Sequence, residues 1–301
     1  MKIARPDILN PGDKIGVAAP ARKINPVDVE VASKILTSWG LEVSIAKNIF
    51  SNHHSYLSGS DEERLSDLQS MIDDPGTRAI ICARGGYGST RILDSLDFSA
   101  LQKNPKWIVG FSDITALHLK LVKHGIASIH GTMPVLFSKE DAASSLESLR
   151  KLLMNGACKI ETTFADHNKT GIANGPLIGG NLSLIVDSLS TATEPDTKGK
   201  ILFVEEVDEY RYKIDRMMTQ LKRAGKLNNL SGLIIGHMTD IKDTELSFGQ
   251  TVEEIILDAV KDYSYPVAFG FPSGHEHPNY AWIHGGQATL SVKDSGTSLT
   301  F

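Results

Sequence analysis

The segment NPKWIVGFSDITALH, residues 104–118, joins an apolar run to a helix-like pattern through a glycine, a phenylalanine and a serine. Trp107–Val109 has the character of a buried strand, and Asp113–Lys123 carries apolar residues at helical spacing. A strand that stops just before a helix places its last residues at the carboxyl edge of a parallel sheet, where ligands bind in open α/β folds. The segment therefore predicts an α/β sheet with Ser112 at its functional edge.

The same alternation of strand and helix surrounds this segment. Ser60 and Glu63 have the S-x-x-E spacing of a capping box and mark the start of a helix that runs to Ile72. The other elements predicted in the first half are strands at Lys14–Ala19, Leu41–Ile45 and Ala79–Ala83 and a helix at Val27–Trp39. This order predicts an N-terminal, mostly parallel sheet flanked by helices.

The second half of the chain has a different texture. Around residues 138–172 the alternation gives way to an amphipathic helix and a polar, turn-rich stretch, and the last residues alternate with period two around Asp294–Gly296. We expect an N-terminal α/β domain over residues 1–150, a linker over 151–172 and a smaller C-terminal α/β domain over 173–301 that ends in a hairpin.

Composition and charge exclude several classes of function. The 301 residues carry a formal net charge of -5 without a basic block, which argues against nucleic acid and against a membrane surface as partners. Neither a membrane-spanning run nor the apolar region of a signal peptide is present. Cys82 and Cys158 are too few for a disulfide framework. These features predict a cytoplasmic protein.

Two interpretations of Ser112 remain open from the residues alone. The helix that follows offers free backbone N–H groups and a positive dipole end, which would stabilise the oxyanion of an acyl-transfer reaction. The segment only partly matches the nucleophile pattern G-x-S-x-G, because Ile114 stands where the second glycine belongs. Ser112 is therefore a candidate nucleophile or a helix cap.

A nucleophilic serine needs a base, and the base needs a carboxylate to orient it. Among the ten histidines, His275 lies in the loop GFPSGHEHPN after a predicted strand, while His130 and His237 end strands. The HEH triplet also raises a metal site with His275 and His277, although it does not match H-E-x-x-H. Glu205 and Glu206 follow the strand ILFV. One of them orients the base, or both simply begin an acidic helix start that the helix dipole favours.

A glycine-rich turn, RGGYGSTR at residues 84–91, follows the strand AIICA. It does not match the dinucleotide pattern G-x-G-x-x-G, and no phosphate-loop pattern occurs in the chain, so no cofactor is expected. The paired glycines allow close approach to a ligand, or they simply form a tight turn. Arg84 is a candidate for holding a substrate carboxylate or for a structural salt bridge.

Together, six segments resemble the LD-carboxypeptidase family. They are LNPGDKIGVAAP, the run from DEERLSDLQSMIDDP to RGGYGSTRILDSLDF, VGFSDITALH, GPLIGGNLSLI, FVEEVDEYRYKIDRMMTQL and GFPSGHEHPN. The resemblance covers nearly the whole chain in order. It implies a serine peptidase that releases the terminal D-alanine of murein tetrapeptides in peptidoglycan recycling, with the site at a domain interface and commonly within a homodimer.

The resemblance also implies roles for individual residues. Ser112 corresponds to the nucleophile, Glu205 to the carboxylate and His275 to the base, and the backbone N–H groups of Asp113 and of a glycine, most directly Gly86, correspond to the oxyanion donors.

The sequence departs from the family pattern at Ala19–Ala21 and at Ala281–Gly285, which bear on side-chain preference. A family branch that confers self-immunity to a peptide–nucleotide antibiotic and a non-catalytic peptide-binding module are the alternatives.

Overall fold

A computed structural model of the chain describes residues 3–156 and 158–301, which fall into two compact units. The first unit consists of Met1–Ala157 and Tyr280–Gly285, and the second consists of Cys158–Asn279 and Gly286–Phe301. The chain therefore changes unit at residues 157/158, 279/280 and 285/286. The domains predicted from the sequence are continuous segments. In the structure Tyr280–Gly285 belongs to the first unit and supplies a strand to its sheet.

Strands and helices are numbered separately in chain order. The strands are β1 Lys14–Ala18, β2 Glu42–Ile45, β3 Thr77–Cys82, β4 Trp107–Gly110, β5 Ser128–His130, β6 Lys159–Thr162, β7 Gly171–Asn181, β8 Ile201–Val207, β9 Gly232–Thr239, β10 Val267–Ala268, β11 Trp282–His284, β12 Gln287–Lys293 and β13 Gly296–Thr300. The α-helices are α1 Pro26–Ser38, α2 Asp61–Asp73, α3 Ser89–Ile92, α4 Ser99–Lys103, α5 Thr115–Lys123, α6 Ala143–Asn155, α7 Leu182–Asp187, α8 Arg211–Arg223 and α9 Val252–Val260. Short 3₁₀ turns cover Leu93–Ser95, Ser112–Ile114 and Pro134–Leu136.

The first unit is built on a mostly parallel sheet. Within the described residues this sheet has six strands in the order β11-β5-β4-β3-β1-β2, with β11 antiparallel to β5 and the other neighbours parallel. The central strands β3 and β4 are buried along almost their whole length, as expected for parallel strands covered on both faces. The predicted fold class is confirmed, and the carboxyl ends of β3 and β4 lie side by side.

Helix starts in this unit follow local signals. Ser60 Oγ accepts a hydrogen bond from Glu63 N at 3.2 Å, and a Glu63 carboxylate oxygen accepts one from Ser60 N at 2.9 Å, which confirms the capping box of α2. The helix predicted from Asp113 begins instead at Thr115, because a 3₁₀ turn over Ser112–Ile114 precedes it. That turn sets the backbone of Ser112 apart from the regular helix.

The second unit has a mixed sheet. Within the described residues it has seven strands in the order β10-β9-β8-β7-β12-β13-β6, parallel from β7 to β10 and antiparallel beyond β7. The pairing of β12 with β13 confirms the hairpin predicted at the end of the chain.

The predicted linker over residues 151–172 contains regular structure. It holds the end of α6, all of β6 and the first residues of β7. The polar composition of this stretch gives no strand signal for β6. The strand lies at the edge of the sheet and buries Ile160, while the residues on either side of Ile160 are exposed. Throughout the described ranges, no helix is both long enough and apolar enough to cross a bilayer.

Candidate active site

Ser112 occupies a strained corner at the end of β4. Its φ angle of 62° lies in the left-handed region, which costs a residue with a Cβ roughly 1–2 kcal/mol. The residue that caps α5 is Ile114, so Ser112 does not occupy the cap position of that helix. Strain of this kind persists where the surroundings enforce it and is common at functional sites. The corner presents a partly exposed Ser112 between the sheet and α5.

The glycine-rich turn after β3 packs directly against this serine. A Cβ atom placed on Gly85 would lie 3.0 Å from Ser112 Cβ, 3.2 Å from its Oγ and 3.4 Å from Asp113 N. Gly86 and Gly88 have φ angles of 103° and 139°, which side chains rarely tolerate. Gly85 thus brings the backbone of the turn next to the Ser112 hydroxyl and next to the N–H of Asp113. An oxyanion site needs backbone donors close to the nucleophile, and this turn lies close to Ser112.

The side chain of Asp113 ties the serine corner to the glycine-rich turn. It is 1% exposed, and its Oδ2 accepts a hydrogen bond from Ser89 N at 2.9 Å. From the other side, the buried guanidinium of Arg64 donates to the carbonyl of Gly88 at 2.9 Å. Burial raises the pKa of the Asp113 carboxyl, and hydrogen bonds from residues 88 and 89 oppose that rise. The sequence predicted only a backbone role for Asp113, because a side-chain contact across 24 residues leaves no local signal.

Two buried histidines contact Gly110 at the end of β4. His118 is fully buried between Ser128 Oγ at 2.8 Å and the carbonyl of Gly110 at 2.9 Å. A carbonyl oxygen only accepts, so Nε2 of His118 carries the proton and Nδ1 accepts from the serine. Burial lowers the pKa of His118 to about 4. His130 is buried as well and stacks on Trp282 at 4.8 Å between ring centroids, so it belongs to the core.

The second unit brings Glu205 and His275 together. Nδ1 of His275 lies 2.6 Å from Oε2 of Glu205, across 70 residues of sequence. Glu205 is fully buried, and its carboxylate accepts the Nδ1 proton, which leaves Nε2 as the atom able to take another. Burial disfavours the imidazolium, but the charge and hydrogen bond of Glu205 outweigh that effect and raise the pKa of His275 above its ordinary value. The pair has the form of a base and its orienting carboxylate.

Glu206 has a different set of partners. Its two carboxylate oxygens accept hydrogen bonds from Asn181 Nδ2 at 2.8 Å and from the N–H and hydroxyl of Ser183 at 2.8 and 2.7 Å. The register of β8 against β9 shifts between Val204 and Glu206, and such a bulge re-aims consecutive side chains. This explains why Glu205 and Glu206 are both buried although they are neighbours in one strand. His275 pairs with Glu205 and not with Glu206.

The loop that carries His275 is held by its own backbone contacts. Asn279 Oδ1 accepts from Gly274 N and Ser273 Oγ, each at 3.1 Å, and His237 N donates to Ser273 O at 2.9 Å. Gly274 has a φ angle of 132°, and a Cβ there would lie 3.1 Å from Oε2 of Glu205. Glycine at this position therefore permits the close approach of the loop to the carboxylate.

The remaining sequence candidates divide between the two units. Arg84 lies at the start of the glycine-rich turn, half-buried, and its Nη1 donates to Lys23 O at 3.4 Å. His237 lies beside the His275 loop and accepts from Glu276 N at 3.2 Å. Over the described part of the chain, no group of three or more His, Cys, Asp or Glu side chains is arranged to hold a metal ion.

Comparisons with known proteins agree on one family. The chain matches the model of the LD-carboxypeptidase N-terminal domain over residues 15–131 and that of the LD-carboxypeptidase C-terminal domain over residues 174–290. A probable murein peptide carboxypeptidase of Bacillus subtilis (strain 168) is 35% identical, over 96% of this chain and 92% of its own length.

Solved structures share the fold. The crystal structure of a muramoyltetrapeptide carboxypeptidase from Oxalobacter formigenes is 30% identical with a TM-score of 0.87 and covers 95% of this chain and 97% of its own. The microcin C7 self-immunity protein MccF also reaches a TM-score of 0.87, over 98% of both chains, at 22% identity. At that identity the second likeness shows the fold alone.

Proposed function

This chain belongs to the LD-carboxypeptidase family, and from that membership we propose that it is a serine carboxypeptidase releasing the terminal D-alanine of murein tetrapeptides. The observation that carries the chemistry is the pair formed by His275 and Glu205, at 2.6 Å, since a base oriented in this way activates a hydroxyl nucleophile. The strained corner at Ser112 supports that residue as the nucleophile.

In the proposed reaction, Ser112 attacks the carbonyl that precedes D-alanine. His275 Nε2 takes the hydroxyl proton and returns it to the departing amine, while Glu205 holds the imidazole and stabilises its charged form. Backbone N–H groups of Asp113 and Gly86 bind the oxyanion, and the loss of one such donor raises a barrier by about 3–4 kcal/mol. Water then attacks the acyl carbonyl while His275 takes one of its protons, and as the bond to Ser112 breaks His275 returns that proton to the Ser112 oxygen.

The decisive experiment is D-alanine release by purified variants. Ser112→Ala and His275→Ala should each lower kcat by at least about 10³-fold, because the residues of such a triad act as a unit. The exposed residues Ser99 and His167 offer matched controls, and Ser99→Ala and His167→Ala should retain wild-type turnover. Wild-type turnover in either of the first two variants would refute the assignment.

The same assay separates the alternatives. A non-catalytic peptide-binding module would bind the tetrapeptide and leave its mass unchanged. Metal-dependent hydrolysis through His275 and His277 would be lost on adding a chelator and recovered with zinc. A self-immunity enzyme would cleave a peptide–nucleotide conjugate faster than a tetrapeptide. Each outcome is distinguishable by mass spectrometry of the products.

We further propose that the protein is a homodimer that acts in the cytoplasm on murein peptides during peptidoglycan recycling. Family resemblance supports the dimer, and the small number of cysteines supports a reducing compartment. Analytical ultracentrifugation of the purified chain and fractionation of the cells that make it test the two proposals separately.

A further inference from the structure

A carboxypeptidase must recognise a free carboxylate very close to its nucleophile. Consecutive Cα atoms of a peptide are about 3.8 Å apart, so the terminal carboxylate lies about one residue beyond the carbonyl that is attacked. Arginine is suited to that carboxylate because its planar guanidinium donates two parallel hydrogen bonds. The first unit places two arginines around the turn that contacts Ser112.

In the glycine pair of this turn, Gly85 contacts Ser112 and Gly86 contacts Arg22. Gly85 packs against Ser112, as the 3.0 Å between a Cβ built on Gly85 and Ser112 Cβ shows. A Cβ built on Gly86 would lie 3.0 Å from Arg22 Cβ and 3.2 Å from its Cδ. The backbone N–H of Arg22 also donates to the Gly85 carbonyl at 3.4 Å. Arg84 begins the same turn, so both arginines flank the backbone next to the nucleophile.

An aromatic ring holds the guanidinium of Arg22. Its central carbon lies 4.9 Å from the centroid of the Tyr56 ring, and the Tyr56 hydroxyl lies beside Gly86, 3.3 Å from a Cβ built there. A guanidinium over an aromatic ring is attracted by the ring electrostatically and does not use its N–H groups as hydrogen-bond donors in that contact. Arg22 is exposed, so those donors can reach a ligand.

The two arginines differ from Arg64 and Arg91 in forming no ion pair within the described residues. Arg64 and Arg91 share the carboxylate of Asp61, whereas neither Arg22 nor Arg84 forms an ion pair with any residue in 3–156 or 158–301. Burial and the positive charge of Arg22 lower the pKa of Arg84, whereas Tyr56 and Asp28 act in the opposite direction, so the two guanidinium groups repel each other electrostatically. Two guanidinium groups that lie near each other and are not ion-paired with a carboxylate favour the binding of an anion.

We propose that Arg22, oriented by Tyr56, acts with Arg84 to bind the terminal carboxylate of the substrate and thereby restricts cleavage to the last peptide bond. The inference rests on the proposed peptidase function, because it places the carboxylate relative to attack by Ser112. It adds Arg22 as a residue that determines specificity, and it favours a substrate-binding role for Arg84 over a structural salt bridge.

The test compares a murein tetrapeptide that ends in D-alanine with the same peptide as its C-terminal carboxamide. We expect the wild-type protein to prefer the acid in kcat/KM by about 100-fold, since hydrogen bonds to charged groups are the strong ones. Arg22→Gln should lower kcat/KM for the acid by about 10-fold, mainly through KM, and change the amide by less than about twofold. The double variant with Arg84→Gln should lose the preference for the acid.

Matched variants keep the result interpretable. Arg78→Gln removes a guanidinium of the same unit that pairs with Asp7 at 3.3 Å and should preserve the acid preference. If Arg22→Gln fails to fold, Tyr56→Leu should give a smaller loss in the same direction. An Arg22→Gln protein that folds and keeps the wild-type ratio of acid to amide overturns the proposal.

A binding measurement separates the failure of this proposal from the failure of the proposed peptidase function. If the wild-type protein cleaves neither peptide, calorimetry with the same two peptides tests the carboxylate site directly. Binding of the acid alone, lost in Arg22→Gln, would support the site without the reaction. Equal binding of acid and amide would refute the site.

Discussion

Replacing Gly85 with alanine should displace the Ser112 hydroxyl while the protein stays folded. The new Cβ would lie 3.0 Å from Ser112 Cβ and 3.2 Å from its Oγ, whereas carbon atoms pack best at about 3.5–4.0 Å. The serine must therefore move by about 0.5 Å. The φ angle of Gly85 is not among the positive ones, so alanine causes no backbone strain there.

The displacement sets the size of the effect. A misplacement of about 1 Å costs about 100-fold in rate, so a shift of half that size predicts a loss of about 10-fold in kcat, or about 1.4 kcal/mol in the barrier. KM should change little, because the contact is with the nucleophile. Overpacking should also lower the free energy of unfolding by about 1–3 kcal/mol.

D-alanine release and urea unfolding measure the two effects on the same preparation. Gly76→Ala is the matched control: Gly76 is exposed, its φ angle is not among the positive ones, and a Cβ there would meet Asp74 Oδ1 at 3.3 Å. The control should retain wild-type kcat. A Gly85→Ala protein with wild-type stability and a kcat within about twofold of wild type would show that the turn does not position the serine.

Three further outcomes follow from the same contacts. Glu205→Gln should lower kcat by about 10³-fold or more and move the acid limb of the kcat–pH profile to lower pH, because the pKa of His275 is raised by the carboxylate and a base must be neutral to act; an unmoved limb contradicts this. Asp113→Ala should lower the free energy of unfolding by about 1–3 kcal/mol, because it leaves the buried Ser89 N–H without its carboxylate acceptor. Asp113→Asn should restore most of that stability in urea unfolding if the contact is structural. The folded pKa of His118, about 4, lies below its unfolded value of about 6.5. The free energy of unfolding should therefore fall by about 3 kcal/mol as the pH drops from the higher to the lower of these values. His118→Asn should remove most of this pH dependence when urea unfolding is compared at pH 7 and at about pH 4.5.

Local patterns predicted most of the regular structure. The capping box at Ser60 and Glu63, the apolar runs of β3 and β4 and the period-two alternation of the final hairpin each involve residues close in sequence. The hydrogen bonds and the burial pattern that define these elements involve residues a few positions apart, so a local sequence pattern predicts the elements. Where the pattern was weak, as in the edge strand β6, the polar composition predicted a linker instead.

The sequence by itself determined the strand-turn-helix corner at Ser112 and the glycines that make a close approach possible, because backbone conformation depends mainly on each residue and its neighbours. Residue patterns left Glu205 and Glu206 open and the family resemblance selected Glu205, but only the tertiary structure shows the contact of His275 with Glu205. The tertiary structure alone also shows that the Asp113 carboxylate binds the Ser89 N–H and that Arg22 lies against Gly86. These contacts join residues far apart in the chain. They depend on sheet register, on a bulge in β8 and on side-chain packing, none of which a local pattern encodes.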